Sequence, residues 1–207
     1  MKRIAIDLNE VLRDYLRQFA KMYVKVIDNS FDIAYEEIDD FNLMNIFPFL
    51  NENGIADTLL FNKFKYEDCA FELYCRAEAM DKTLPAEFNL WTQNTMRNFD
   101  DEDLPEIIIF SPFEMNLSIQ STLSFLARFG IRTREILFPM DSMTMWDKCD
   151  IMITANPNLL NATPEDKVSF KVRCPYNKDA KGTYEFDSML DIIRDNTIID
   201  LIENKND

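Results

Sequence analysis

Five short apolar runs separated by helical text restrict this chain to very few architectures. They are residues 3–8 (RIAIDL), 106–110 (EIIIF), 134–138, 150–153 (DIMI) and 168–172. EIIIF shows no alternation, and a strand apolar at successive positions must be covered on both faces, as in a parallel sheet. After the first run, Leu12, Leu16, Phe19, Tyr23 and Ile27 recur at helical spacing. After the second, Ile119, Leu123, Leu126 and Phe129 form one stripe, and Gly130 sits where a left-handed helix cap is wanted. The pattern predicts a Rossmann-like α/β fold, a parallel sheet with helices on both faces whose ligands sit beyond the carboxyl ends of the strands.

The text from about Asp32 to Asp103 differs. It is acidic and mostly helical, with Pro48, Gly54 and Pro85 as breaks, and reads as a helical cap inserted into the α/β core. The expected division is a core of 1–15 and 104–207 with a cap of 16–103. The run 100–103 (DDED) reads as a solvated return loop, the end of the chain as a fraying tail, and Trp91 and Trp146 as packing residues.

Charge and composition exclude several functions. The formal charge is -15, from 37 acidic and 22 basic residues, and no basic patch interrupts it. Such a surface repels phosphate backbones and anionic lipid, so neither nucleic acid nor membrane is expected as a partner. No apolar stretch is long enough to span a bilayer, and the first residues carry charges where a signal peptide would be apolar, so a cytoplasmic location is expected. Cys69, Cys75, Cys149 and Cys174 form no CxxC pair and read as free thiols. The chain has no histidine, which removes Ser-His-Asp, Cys-His and HExxH chemistry together. Any reaction must use carboxylates, Lys, Ser/Thr or Tyr.

Polar residues end three of the apolar runs: Asp7 with Asn9, then Ser111, then Thr154-Ala155-Asn156-Pro157. These segments carry a resemblance. IAIDLNEVLRDYLRQFAKMY is similar to the opening of haloacid dehalogenase-like phosphatases, whose first strand ends in Asp-x-Asp-Gly-Thr/Val-Leu. IIIFSP resembles that superfamily's second motif, DIMITANPNLL its fourth, and CPYNK the Pro-aromatic-Asn segment of the 5′(3′)-deoxyribonucleotidase branch. The insertion lies where that branch carries its helical cap.

The resemblance implies an aspartyl-phosphate mechanism at Asp7. It also shows what has changed. Asn9 stands where the general acid-base aspartate is expected and cannot shuttle a proton. Glu10 replaces a glycine. Thr154 and Ala155 replace the two aspartates that would anchor magnesium, so no metal or other cofactor is expected, and magnesium enters only if activity survives. Thr144 lies near the third motif's basic position, with Lys148 as the nearest substitute. Ser111 reads equally as a phosphate donor and as a helix cap. Asp7 reads as a vestigial nucleophile position or as an architectural carboxylate facing helix N-termini.

The resulting expectation is a degenerate phosphatase fold, catalytically inactive and used as a structural or protein-interaction component through a partner or self-association. A virus-encoded or virion-associated component is one concrete form. The alternative is a residual phosphatase acting on a small phosphorylated metabolite such as a deoxynucleoside monophosphate.

Overall fold

A computed structural model of the chain describes residues 2–97 and 104–203. The acidic run 100–103 lies outside the described residues. Six strands, β1 (Arg3–Asp7), β2 (Glu106–Phe110), β3 (Glu135–Leu137), β4 (Ile151–Thr154), β5 (Val168–Val172) and β6 (Tyr184–Phe186), form one sheet of order β3-β2-β1-β4-β5-β6. Every pairing is parallel. β1 pairs residue for residue with β2 from Arg3↔Glu106 to Asp7↔Phe110, and on its other side with β4 through Ile6↔Ile153. The five expected strands are present. β6 is an addition: a three-residue edge strand with two exposed positions offers no apolar run to detect.

Side-chain alternation sorts the sheet into two buried faces. Ile4, Ile6, Ile107 and Ile109 pack with α4 (Leu84–Arg97), α5 (Leu117–Phe129), α7 (Met189–Arg194) and α8 (Thr197–Glu203). Ala5, Ile108, Phe110 and Met152 face the other way, against Met145, Trp146 and Leu159. Leu159 belongs to α6 (Pro157–Asn161). Gly130 ends α5 at φ 62°, the left-handed cap its position predicts. Of the expected fraying tail, the described part is helical: α8 runs to Glu203 and buries Ile198 and Ile202. All four cysteines are free and buried, and among the described residues no helix is long and apolar enough to cross a membrane.

A second core is rich in rings, with Tyr15, Phe19, Tyr23, Phe47, Phe49, Phe64, Tyr66 and Tyr74 among its buried residues. It lies between α1 (Tyr15–Val26), the short helices α2 (Leu43–Ile46) and α3 (Thr58–Lys63), and two π-helical turns at Phe64–Asp68 and Phe71–Cys75. Phe19 is its hub, with Phe47, Phe64, Phe61 and Phe49 at centroid distances of 5.0, 5.5, 6.1 and 6.4 Å. The abundance of phenylalanine is thereby explained: a small cap with its own core relies on residues that bury the most area per side chain. α4 lies within the expected cap span of 16–103, yet Leu84, Phe88 and Trp91 pack in the sheet's core. Pro85 sits in the first turn of α4, where its missing N–H is not needed.

Candidate functional site

The chain order reverses at β1, whose neighbours β2 and β4 leave on opposite sides. At such a switch point the strand ends open a crevice. Asp7, at the end of β1, is 4% exposed. Its Oδ2 accepts the Thr154 hydroxyl at 2.8 Å from the end of β4, and its Oδ1 accepts the Asn9 backbone N–H at 3.4 Å. Burial pushes the Asp7 carboxyl up to about 7, with the Thr154 and Asn9 bonds and the charge of Arg13 opposing the rise. Asp7 and Thr154 thus meet as the strand ends predict.

Ser111 lies beside them but serves a different group. The guanidinium of Arg13, fully buried, occupies the space between β1, β2 and α5. It donates to Asn9 Oδ1 from Nε and Nη2 (2.9 and 2.7 Å), to Glu114 Oε1 (2.7 Å), to Ser111 Oγ (3.2 Å) and to Thr122 Oγ1 (2.5 Å). Nη1 also reaches the Tyr74 carbonyl of the cap at 3.4 Å. Ser111 and Thr122 in turn donate to Glu114. The Tyr74 and Phe125 rings, 5.0 and 5.5 Å from the guanidinium carbon, complete the enclosure. Asn9, at the altered acid-base position, therefore spends its side-chain oxygen on Arg13. Sequence reading passed over Arg13 and Glu114 because nothing local marks two residues so distant in the chain as partners.

Glu10 adopts φ 59°, the left-handed region in which glycine is at ease. Its carboxylate turns back over the start of α1, accepting the Leu16 N–H at 2.8 Å on Oε1 and the Tyr35 hydroxyl at 3.2 Å on Oε2. Burial pushes it up to about 8, partly countered by the Leu16 N–H. Beyond β4, Asn156 caps α6 by accepting the Asn158 N–H at 2.9 Å. Asn177, in the Pro-aromatic-Asn segment, donates to the Ala155 and Val172 carbonyls at 2.9 and 2.8 Å and so fixes the ends of β4 and β5 together.

Thr144 and Lys148 belong elsewhere. The 3-10 helix Ser142–Asp147 is pinned under the sheet by Met145 and Trp146, which turns both outward. Thr144 is exposed and bonds the Asp141 carbonyl; Lys148 is exposed at the helix end. The lysine that reaches the crevice is Lys65, from the cap. A cleft of about 320 Å³ between cap and core has Asp7, Asn9, Tyr15, Phe41, Lys65 and Tyr176 among its lining residues. Burial lowers Lys65 to about 8, against the pull of Glu114 and with the push of Arg13.

The resemblance implies magnesium, and the donor set can be tested for it. A hard divalent cation takes about six oxygen ligands, with carboxylates to match its charge. Here Asp7, at the end of β1, has one oxygen engaged by Thr154, and both oxygens of Glu10 are turned to Leu16 and Tyr35. Among the described residues no three acidic, cysteine or histidine side chains gather as ligands. The Arg13 cation stands where it repels a metal. These residues do not fit magnesium.

Neither a protein-family model nor a curated protein sequence matches the chain. Solved structures do. A protein described as a haloacid dehalogenase-like hydrolase from Burkholderia xenovorans LB400 superposes with a TM-score of 0.57 at 11% identity, over 95% of this chain and 96% of its own. A haloacid dehalogenase-like family hydrolase from Xanthomonas campestris has a TM-score of 0.45 at 9% identity, over 98% and 96%. The first likeness establishes that the chain has the fold of haloacid dehalogenase-like hydrolases.

Proposed function

We propose that this haloacid dehalogenase-like fold no longer carries out magnesium-dependent phosphoryl transfer and works by binding in its cap–core cleft. One observation carries the reading: the side chains at 9, 10 and 154 are engaged by neighbouring protein groups. Thr154 is spent on Asp7, Asn9 on Arg13, and Glu10 on the start of α1. A phosphoryl-transfer site needs those positions free to hold a metal and move a proton. Loss of the proton shuttle costs about 10²- to 10⁴-fold, and loss of the metal several kcal/mol more of charge stabilisation. The deoxyribonucleotidase likeness and the residual phosphatase alternative belong to the same test.

Para-nitrophenyl phosphate and deoxynucleoside monophosphates, with and without magnesium, are the substrates to assay. Wild-type protein should show no turnover above the Asp7→Asn control. Magnesium binding should appear in calorimetry only for a variant carrying Asn9→Asp, Glu10→Gly and Thr154→Asp together. Wild-type hydrolysis that requires both magnesium and Asp7 would overturn the proposal in favour of a residual phosphatase.

A further inference from the structure

The cleft holds a carboxyl and an ammonium that no ion pair engages among the described residues. On its floor, Asp7 accepts the Thr154 hydroxyl and a long bond from the Asn9 N–H, and the cation that acts on it, Arg13, is paired with Glu114. On its cap wall, the Lys65 ammonium has no hydrogen bond and no ion pair among the described residues. It lies instead among rings, 4.9 Å from the centroid of Tyr66, 5.8 Å from Phe61 and 6.0 Å from Tyr15. Glu10, the other carboxyl lining the cleft, has both oxygens occupied.

Partly buried charges without partners are costly in a protein interior, and a ligand that brings the missing counter-charges recovers that cost as affinity. Among the described residues no hydrogen bond or ion pair joins Lys65 to Asp7, and the two line the cleft from different elements, the cap turn Phe64–Asp68 and the end of β1. Phe41, Phe61, Phe113 and Tyr176 line the cleft along with them. Its volume of about 320 Å³ falls at the small end of ligand pockets, about 300–1,000 Å³. A phosphate dianion against the Asp7 floor would meet a carboxylate with neither metal nor lysine beside it.

We infer that the cleft binds a small zwitterion with its ammonium against Asp7, its acidic group against Lys65 and an aromatic body between them. This deepens the binding role proposed above and rests on it. The acidic surface as a whole also draws the cationic end inward.

Isothermal titration in magnesium-free buffer with four probes tests the inference. Para-(aminomethyl)benzoate carries both charges at opposite ends of a ring; para-methylbenzylamine and para-methylbenzoate carry one each; thymidine monophosphate carries the phosphate. Wild-type protein should bind the zwitterion about tenfold or more tightly than either singly charged analogue, since each charge-assisted contact is worth at least that factor. Lys65→Met should reduce zwitterion affinity to that of the amine, Asp7→Asn should reduce it to that of the benzoate, and Lys65→Arg should retain most of it. Equal affinity for the zwitterion and a singly charged analogue, or tighter binding of thymidine monophosphate, overturns the inference. Should a variant fail to fold, the wild-type ranking decides alone. Phosphate-ester turnover with magnesium would sink the binding role itself, whereas a failed ranking without turnover sinks only the choice of ligand.

Discussion

Replacing Arg13 by methionine removes the cation from the centre of the molecule while keeping most of the side chain's volume. Glu114 would then hold a buried charge bonded to the Ser111 and Thr122 hydroxyls but to no cation directly, with its Oε2 already lacking a partner and Lys65 acting on it without a hydrogen bond. Asn9 Oδ1 would lose both of its donors. Breaking a buried pair on one side costs about 3–5 kcal/mol. At about 2–4 °C per kcal/mol for a chain of this length, the midpoint should fall by about 6–20 °C. Glu114→Gln should fall in the same range, because it strands the guanidinium instead. The double variant Arg13→Met/Glu114→Met should be more stable than either single variant, since an apolar replacement of a whole pair is often neutral or better. Calorimetry and urea titration measure all three. Arg3→Met serves as the reference: its pair with Glu106 is 48% and 33% exposed and should cost less than about 1 kcal/mol. Single variants at 13 and 114 that match this reference, or a double variant whose loss is the sum of the two, would refute the reasoning.

Asp7 and Glu10 have folded-state values raised to about 7 and about 8 from 3.8 and 4.5. In that window the folded state holds protons the unfolded chain has released. Their contribution to stability is therefore full below about pH 4 and is lost as pH rises through 7 and 8. Asp7→Asn and Glu10→Gln should each flatten the decline of stability between pH 5 and 8 in urea titrations; curves parallel to wild type would show that neither carboxyl is desolvated. Gly182→Ala should destabilise by about 1–3 kcal/mol, because its Cβ would lie 2.7 Å from the Tyr184 carbonyl oxygen and 2.8 Å from Lys171 Cβ. Gly130→Ala, in open space but at φ +62°, should cost only the left-handed penalty of about 1–2 kcal/mol; thermal melts rank the two.

Much of this fold is written locally. Buried parallel strands are continuous apolar runs, so EIIIF and DIMI mark themselves, and a polar residue ending each run marks the crevice; Asp7 and Thr154 were found that way. Information that depends on which distant side chains face each other is not local. Arg13 reads as one more polar residue after a strand, and only the fold shows it enclosed by Asn9, Ser111, Glu114 and Thr122. Lys65 lies in cap text that is helical and charged throughout, so nothing distinguishes it from its neighbours Lys63 and Glu67. Lys148 drew attention by sequence position, but Met145 and Trp146 decide which way its turn faces. α4 carries helical apolar spacing like that of the cap; its allegiance to the sheet depends on which surface Phe88 and Trp91 meet.

The residues around Asp7 that differ from those the resemblance implies are connected rather than scattered. An aspartate at position 9 would lie within reach of the Arg13 guanidinium and be held as its ion-pair partner, unable to carry a proton until Arg13 was also removed. An aspartate at 154 would set a second carboxylate where a hydroxyl now donates to Asp7, and without a metal the two would repel one another. A glycine at 10 would relieve the left-handed residue but leave the Leu16 N–H and the Tyr35 hydroxyl without their acceptor. Each present residue therefore stabilises the site as it stands and makes a single exchange for the residue the resemblance implies unfavourable. Arg13, a permanent cation held by Asn9, Ser111, Glu114 and Thr122, supplies fixed positive charge near the Asp7 carboxyl, and a charge fixed in this way, unlike a metal ion, has no ligand positions to exchange.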